Sequence, residues 1–558
     1  MTMLLILLIC LLSSNAISVR RDKSILYSRV VVSSLIFACI IALNTMYIYG
    51  LEKSIGIYGG LFHINLLTHS FNIFILLVSS IILLITSFYP RKVNIKEYLS
   101  LNMQFSRKFV YNKDIISNKT GEQFRIIEYP LIIVFILCGG VFLMSTGDII
   151  SLFLAIELQS YGLYILSSIY RDSESATGSG LTYFLLGGLS SCFILLGSAL
   201  LYANSGTTNL ENIFILYNIT DIMLWYDPLF LDMSLIIIIT GFLFKISAAP
   251  FHFWSPDVYD GVPTIVTTYI AIIAKISIFV LFIDLLINMD SWVDSWKVVF
   301  FYSSFLSFFI GSVLGLSQYR IKRLLAYSTI SHVGFILLGL CTDNMESMQA
   351  SIFYIFQYTI ANLNTFFILL CIGYSLFLYT FNEEKKKGLK DKLVDENNSP
   401  IQLISQIKGY FYINSFMAIS LAITLFSFIG VPPMAGFFAK QMILSGALDR
   451  GRTFMVLVAI LTSVIGAVYY LNLVKEMFFF QSEYKQHLID NISLKGYLMS
   501  AGEKPENGIH VQFNGNNITL NSALTGTISI ITMLLLLFIY IPEVLFNIVG
   551  VLTLTLYK

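Results

Sequence analysis

The stretch Phe244-Lys245-Ile246-Ser247-Ala248-Ala249-Pro250-Phe251 lies inside an apolar run from about 229 to 258. Such a run is long enough for a membrane crossing of ~20 residues. Lys245 falls near its middle, where an ionised side chain costs roughly 2.5–3.5 kcal/mol on the insertion scale. Pro250 has no N–H to bond the Ile246 carbonyl, so the helix should break there. Unwound backbone survives in a bilayer only where protein or a hydrated cavity satisfies it. The stretch therefore predicts an all-α polytopic membrane protein in which a broken helix lines an internal polar region.

Composition agrees with that reading. Of 558 residues, 56% are hydrophobic and 12% charged, against about a quarter charged in an ordinary soluble chain. The mean hydropathy of +0.78 excludes a water-soluble globule. A net charge of +1 leaves no overall electrostatic case for nucleic acid. Cys10, Cys39, Cys138, Cys192, Cys341 and Cys371 all lie in apolar stretches without a C-x-x-C pair. That argues against an iron–sulfur cluster, a zinc site or a disulfide framework. No Gly-rich strand–helix fingerprint is present, so no cofactor and no metal are expected in this chain.

Further apolar runs occupy about 2–16, 26–48, 72–89, 126–146, 149–170, 181–203, 263–286, 298–316, 324–341, 350–380, 413–448, 453–474 and 525–553. With 229–258 they make fourteen candidate crossings. The first run lacks the basic n-region of a signal peptide, and Arg20 and Arg21 follow it. Numbered by the helix they follow, the odd loops hold most of the Lys and Arg, including Lys108, Arg171, Arg320 and Lys386. The positive-inside rule then places odd loops on the cytoplasmic or matrix side, with Asn212 and both termini opposite. The polar pieces 90–124, 381–412 and 476–523 are short for independent domains; Glu383 to Asn398 reads as a solvated connector or subunit contact, and 90–124 and 476–523 match no motif.

Four charges stand inside the predicted crossings: Glu157 in the fifth, Lys245 in the seventh, Lys275 in the eighth and Lys440 in the twelfth. Facing lipid, they would together cost about 10–14 kcal/mol, so they should face one another or internal water. One Glu cannot neutralise three Lys. A buried ion pair explains part of the set, and groups that take up or release protons as their neighbours move explain the rest. Pro432 and Pro433 free the carbonyls of Phe428 and Ile429, predicting a second broken helix. Two broken helices five crossings apart suggest inverted repeats, as in transporters. The lysines are out of register, since Lys245 precedes its proline and Lys440 follows Pro433. His332, among Tyr327, Ser328, Thr329 and Ser331, fits two roles equally: a proton relay near neutral pH or a packing histidine held by a hydrogen bond.

The blocks Ser151-Leu-Phe-Leu-Ala-Ile-Glu157-Leu-Gln, Leu181-Thr-Tyr-Phe-Leu-Leu-Gly-Gly, Phe244 to Tyr259 and Val431-Pro-Pro-Met-Ala-Gly-Phe-Phe-Ala-Lys440 resemble the antiporter-like membrane subunits of respiratory complex I, the NADH:ubiquinone oxidoreductase. The resemblance spans about 120–475 and is nearest to the subunit 2 type. Lys275 favours that type over subunits with His there, and Lys440 argues against the Glu typical of subunit 4.

The resemblance implies fourteen helices: an N-terminal three-helix segment with its loop (1–125), a first inverted repeat (126–286), a second (298–475), and a polar loop with a C-terminal helix (476–558). It also implies a series of proton-handling residues. Glu157 would pair with Lys245, Lys275 would be the central relay with His332 assisting, and Lys440 would be the exit group. NADH, flavin, iron–sulfur centres and ubiquinone would be handled by other subunits. The expected partners are the other membrane-arm and accessory subunits and phospholipids, and the expected location is the mitochondrial inner membrane. Two alternatives stay open: a cation/proton antiporter subunit without redox coupling, and a non-pumping structural subunit.

Overall fold

An α-helix closes its backbone hydrogen bonds within one segment, which is what a chain surrounded by lipid requires. The computed structural model describes residues 2–17, 24–48, 50–51, 54–87, 128–170, 173–220, 229–288, 293–342, 344–376, 379–381, 401–481, 484–486, 522–540 and 542–556. They fold as α1 (Thr2–Ile17), α2 (Ser24–Thr45), the hairpin β1 (Ile55–Ile57) and β2 (Phe62–Ile64), then α3 (Leu66–Ser87), α4 (Glu128–Met144) and α5 (Ile149–Ser168). Next come α6 (Glu174–Ser205), α7 (Leu210–Thr220), α8 (Leu229–Ile246), α9 (Trp254–Gly261), α10 (Thr264–Asn288), α11 (Val293–Leu316), α12 (Ile321–Thr342) and α13 (Met345–Leu376). The chain closes with β3 (Tyr379–Phe381), α14 (Ser415–Ile429), α15 (Ala435–Asp449), α16 (Thr453–Phe478), β4 (Tyr484–Gln486), α17 (Ser522–Leu537) and α18 (Pro542–Leu556). Among the described residues, nine helices are long and apolar enough to cross a membrane singly.

The most buried helices are those that carry the internal polar groups. The apolar window of α10 is 94% buried, and those of α12 and α13 are 89% buried. α6 and α16, by contrast, are 39% buried; Leu181, Leu185 and Leu457 point outward from them as a lipid-facing surface would. Lys275 and His332 are thus screened from lipid by a ring of outer helices. Small residues let those helices approach closely. A Cβ on Gly197 of α6 would stand 2.6 Å from Ile238, and one on Gly241 of α8 would stand 2.6 Å from Ile194.

Two features add to the sequence expectations and one differs from them. The stretch after α6 carries a short helix, α7, with Leu210 N–H on Gly147 O at 3.0 Å. Residues 54–64 form a hairpin whose Phe62 bridges Thr146. The run 525–553, predicted as one crossing, divides into α17 and α18 at 88°, because Pro542 cannot donate to the preceding turn. Antiparallel β3 and β4 begin and end at polar connectors. Positions Lys108 and Lys386, with most of 90–124, 381–412 and 476–523, lie outside the described residues.

Candidate proton-transfer site

α8 stops at Ile246, and Ser247 takes a left-handed conformation at φ 64°. The Phe244 carbonyl at this end accepts from Ser247 N–H at 3.1 Å and from the Trp254 indole at 2.8 Å. The break therefore satisfies its backbone from within the protein. It also places Lys245 in the last turn of α8 instead of at mid-helix. The second break lies between α14 and α15, where Gly430 adopts φ 84° and its N–H bonds Phe426 O at 3.0 Å. Ile429 O, a carbonyl that the two prolines release, accepts from Lys440 Nζ at 2.9 Å.

The four charges do not gather in one cluster; they stand along a line. Lys245 Nζ donates to Glu157 Oε1 at 3.2 Å, with both side chains nearly buried. A cavity of about 20 Å³ beside Lys245 is lined by Gln159, Ser160, Tyr164 and Trp254; about 10–15 Å³ holds one water. Two residues past Lys245, Ser247 Oγ accepts from Lys275 Nζ at 3.1 Å. Lys275 also donates to Thr329 Oγ1 at 3.2 Å and is only 1% exposed. Among the described residues no carboxylate pairs with it, so the first break's serine and a threonine of α12 solvate this ammonium.

Thr329 and His332 stand three residues apart and so share one face of α12. His332 Nδ1 lies 2.6 Å from the Tyr354 hydroxyl of α13, and Nε2 lies 3.3 Å from the Tyr470 hydroxyl of α16. The serine and threonine hydroxyls near it in sequence are otherwise engaged: Ser328, Thr329 and Ser331 donate to Leu325 O, Ala326 O and Ser328 O. A small cavity lined by His332, Phe335, Phe428 and Tyr470 joins the histidine to Lys440. Lys440 Nζ sits 5.2 Å from the Phe335 ring centre, within cation–π range.

Ion pairs hold the segment that follows the first break. Asp260 of α9 meets Arg320 at 2.5 Å and Arg323 at 3.2 Å, and Arg323 also reaches Asp257 at 3.0 Å. Lys322, buried between them, donates to Val262 O at 2.6 Å. These contacts clamp the segment after the first break to the start of α12.

Sequence reasoning singled out the lysines and prolines because each is rare in apolar helix. It did not single out Ser247, Trp254, Tyr354 or Tyr470, residue types that are ordinary in any bundle. The only signal for Ser247 was its place two residues after Lys245.

The comparisons agree with this architecture. The family model described as "NADH:quinone oxidoreductase/Mrp antiporter, TM" matches residues 146–466. NADH-ubiquinone oxidoreductase chain 2 of Rhizopus oryzae is 41% identical over 539 residues, 96% of each chain. NADH-quinone oxidoreductase subunit N of Pelagibacter ubique is 34% identical over 374 residues, 67% of this chain and 73% of that one. Respiratory complex I from Thermus thermophilus has a chain of the same fold, with TM-score 0.68, 21% identity and 98% of both chains covered. A chain of an archaeal membrane-bound sulfane sulfur reductase matches at TM-score 0.71 and 20% identity, covering 100% of this chain and 97% of that one. On the family match and the identity to chain 2, this chain belongs to the antiporter-like membrane subunits of the NADH:quinone oxidoreductase/Mrp antiporter family, in its complex I subunit 2/N group.

Proposed function

We infer that this chain is a proton-translocating membrane-arm subunit of NADH:ubiquinone oxidoreductase and that its own contribution is proton transfer. NADH oxidation and quinone reduction take place in other subunits, and this chain uses no cofactor. The observation that carries the reading is the line of buried polar groups through an apolar bundle: Glu157, Lys245, Ser247, Lys275, Thr329, His332 and Lys440. Direct hydrogen bonds join Glu157 to Lys245, and Lys275 to Ser247 and Thr329; a small cavity joins His332 to Lys440, and the pieces meet through the chain neighbours Lys245 and Ser247 and, on one face of α12, Thr329 and His332.

In this reading the Glu157–Lys245 pair opens and closes. An opposite charge arriving beside a buried amine or leaving it changes its proton affinity. Moving one charge against 100 mV costs about 2.3 kcal/mol, equal to ~1.7 pKa units at 1.36 kcal/mol per unit. Rearranging one buried ion pair supplies that much. Lys275 receives the proton, His332 passes it on between two tyrosine hydroxyls, and Lys440 releases it.

The finer architecture belongs to the same proposal. The chain makes fourteen crossings in four parts: 1–125, an inverted pair of repeats at 126–286 and 298–475, and 476–558. The two breaks, each with a lysine, support the pairing. The membrane is the mitochondrial inner membrane, odd-numbered loops face the matrix, and the partners are other membrane-arm and accessory subunits with phospholipids around them. The test is NADH-driven proton uptake in sealed vesicles holding the whole complex. Substitution of Lys275 by Ala should lower the protons moved per NADH oxidised. An unchanged ratio would refute the reading, and cation-dependent transport without an electron donor would replace it with antiport.

A further inference from the structure

A second polar contact joins the helix of Glu157 to the helix of Lys275. Gln159 Nε2 of α5 donates to Ser277 Oγ of α10 at 3.0 Å, and that hydroxyl stands 3.1 Å from Gln159 Oε1. Gln159 is 2% exposed and Ser277 0%, so the contact is sealed from solvent. Each residue stands two places after a charge of the line, Gln159 after Glu157 and Ser277 after Lys275. Helix residues two apart lie about 200° apart around the axis and do not face each other. α5 therefore meets Lys245 with one face and α10 with another.

α4 closes over this contact. A Cβ on Gly139 would stand 2.6 Å from Gln159 N, and one on Gly140 would stand 3.2 Å from Gln159 Nε2. Two successive residues without side chains let α4 approach and leave the amide its room. The Ser277 hydroxyl also lies 3.0 Å from Ala274 O. It carries one hydrogen, so it donates either to the glutamine or to the carbonyl that precedes Lys275, one at a time. Gln159 and Ala274 both line the small cavity beside Lys245, so that choice is made next to the ion pair.

We propose that Gln159 is a positioning residue: through Ser277 it ties α10 to α5 and holds the Lys275 amine within reach of Ser247 and Thr329, so that movement of α5 as the Glu157–Lys245 pair opens is passed to Lys275. This rests on the proton-translocating reading and adds to it a mechanical link between the ion pair and the middle lysine. The hydroxyls that hold the amine belong to the first break and to α12, elements other than α5. A shift of α10 relative to them changes how Lys275 is solvated. The amide bridge makes α10 follow α5, while Gln159 and Ser277 themselves exchange no proton with the lysine.

The experiment uses the assembled complex in sealed vesicles and reads protons moved per NADH oxidised as a function of pH, normalised to assembled complex. The variants are Gln159→Met, Ser277→Ala, the two combined, Lys275→Ala, and Lys275→Ala combined with Gln159→Met. Met keeps the length of Gln and Ala removes one oxygen from the serine, so both single variants should assemble. Each should lower the ratio by at least half of the loss that Lys275→Ala causes and should shift its pH dependence. Two residues of one contact are not additive, so combining Gln159→Met with Ser277→Ala should be no worse than the worse single variant. Gln159→Met should lower the ratio no further once Lys275 is replaced by Ala. If the losses add in either combination, or the pH dependence stays that of wild type, the residues only pack and the proposal is wrong. If Lys275→Ala lowers the ratio while Gln159→Met and Ser277→Ala match wild type, the bridge fails and the translocation reading stands. If Lys275→Ala also matches wild type, the translocation reading itself fails, and the bridge with it.

Discussion

Lys440 Nζ donates to Ile429 O at 2.9 Å across the second helix break. The lysine thus caps a carbonyl that Pro432 and Pro433 leave without its helical donor. One side chain stabilises the break and stands in the proton line. Replacing it with Met keeps the length and the apolar stem but removes the donor. An unsatisfied buried carbonyl costs about 1–3 kcal/mol, so Lys440→Met should lower the thermal stability of the assembled complex as well as its proton-to-electron ratio. Thermal unfolding of the purified complex, measured beside pumping, checks both; an unaltered melting temperature would remove the capping role.

The Glu157–Lys245 pair bridges α5 and α8 with both side chains largely out of solvent. Removing one partner of such a pair costs about 3–5 kcal/mol because the other is left charged and alone, whereas replacing both by neutral groups is often tolerated. Glu157→Gln or Lys245→Ala alone should reduce the amount of assembled complex. The double substitution Glu157→Gln with Lys245→Met should recover much of the assembly and still pump poorly. Native gels and pumping assays on the same preparations separate the two effects, and full pumping by the double variant would make the pair purely structural.

Gly436, in the first turn of α15, packs against the last turn of α14. A Cβ there would lie 1.8 Å from Ser427 O, a backbone atom that a rotamer change cannot move aside. Overpacking of this kind costs about 1–3 kcal/mol or more. Gly436→Ala should lower accumulation of the complex several-fold. Normal accumulation with normal pumping would show that the break can widen freely.

The parts of this molecule legible in sequence were those where a residue contradicts its surroundings. Lys245, Lys275, Lys440 and Glu157 each carry a charge in an apolar run, and Pro250, Pro432 and Pro433 each interrupt a helix; the structure ends helices at Ile246 and Ile429. The hydroxyls of Ser247, Tyr354 and Tyr470, and the pairing of Thr329 with Lys275, were not legible, because they arise only through helix–helix contacts between distant parts of the chain. The hairpin at 55–64 was hidden for a different reason: each strand has three residues, too few to set a period. The bend before Pro542 fell in a run so apolar that hydropathy alone continued it as one crossing.

Sidedness follows from the distribution of Lys and Arg among the loops. Asn212 of α7 and exposed Tyr412, before α14, should lie on opposite faces of the membrane. Single cysteines introduced at the two positions, in a background where Cys10 and Cys192 are replaced by Ser, should react with an impermeant thiol reagent from opposite sides. Asn212→Cys should label from the outer face of the inner membrane. Labelling of both from one side would overturn the topology.

Lys275 offers the most direct test of the central claim that buried lysines carry the translocated proton. It is buried, hydrogen-bonded to Ser247 and Thr329, and among the described residues has no carboxylate partner. Arg keeps the positive charge and the donors but does not release its proton in proteins. The measurement is protons translocated per NADH oxidised by the Lys275→Arg complex in sealed vesicles, normalised to assembled complex and set against electron transfer with an uncoupler present. A relay predicts a ratio well below wild type in complex that still assembles. A wild-type ratio in Lys275→Arg would contradict the account, because a fixed charge would then serve as well as one that comes and goes.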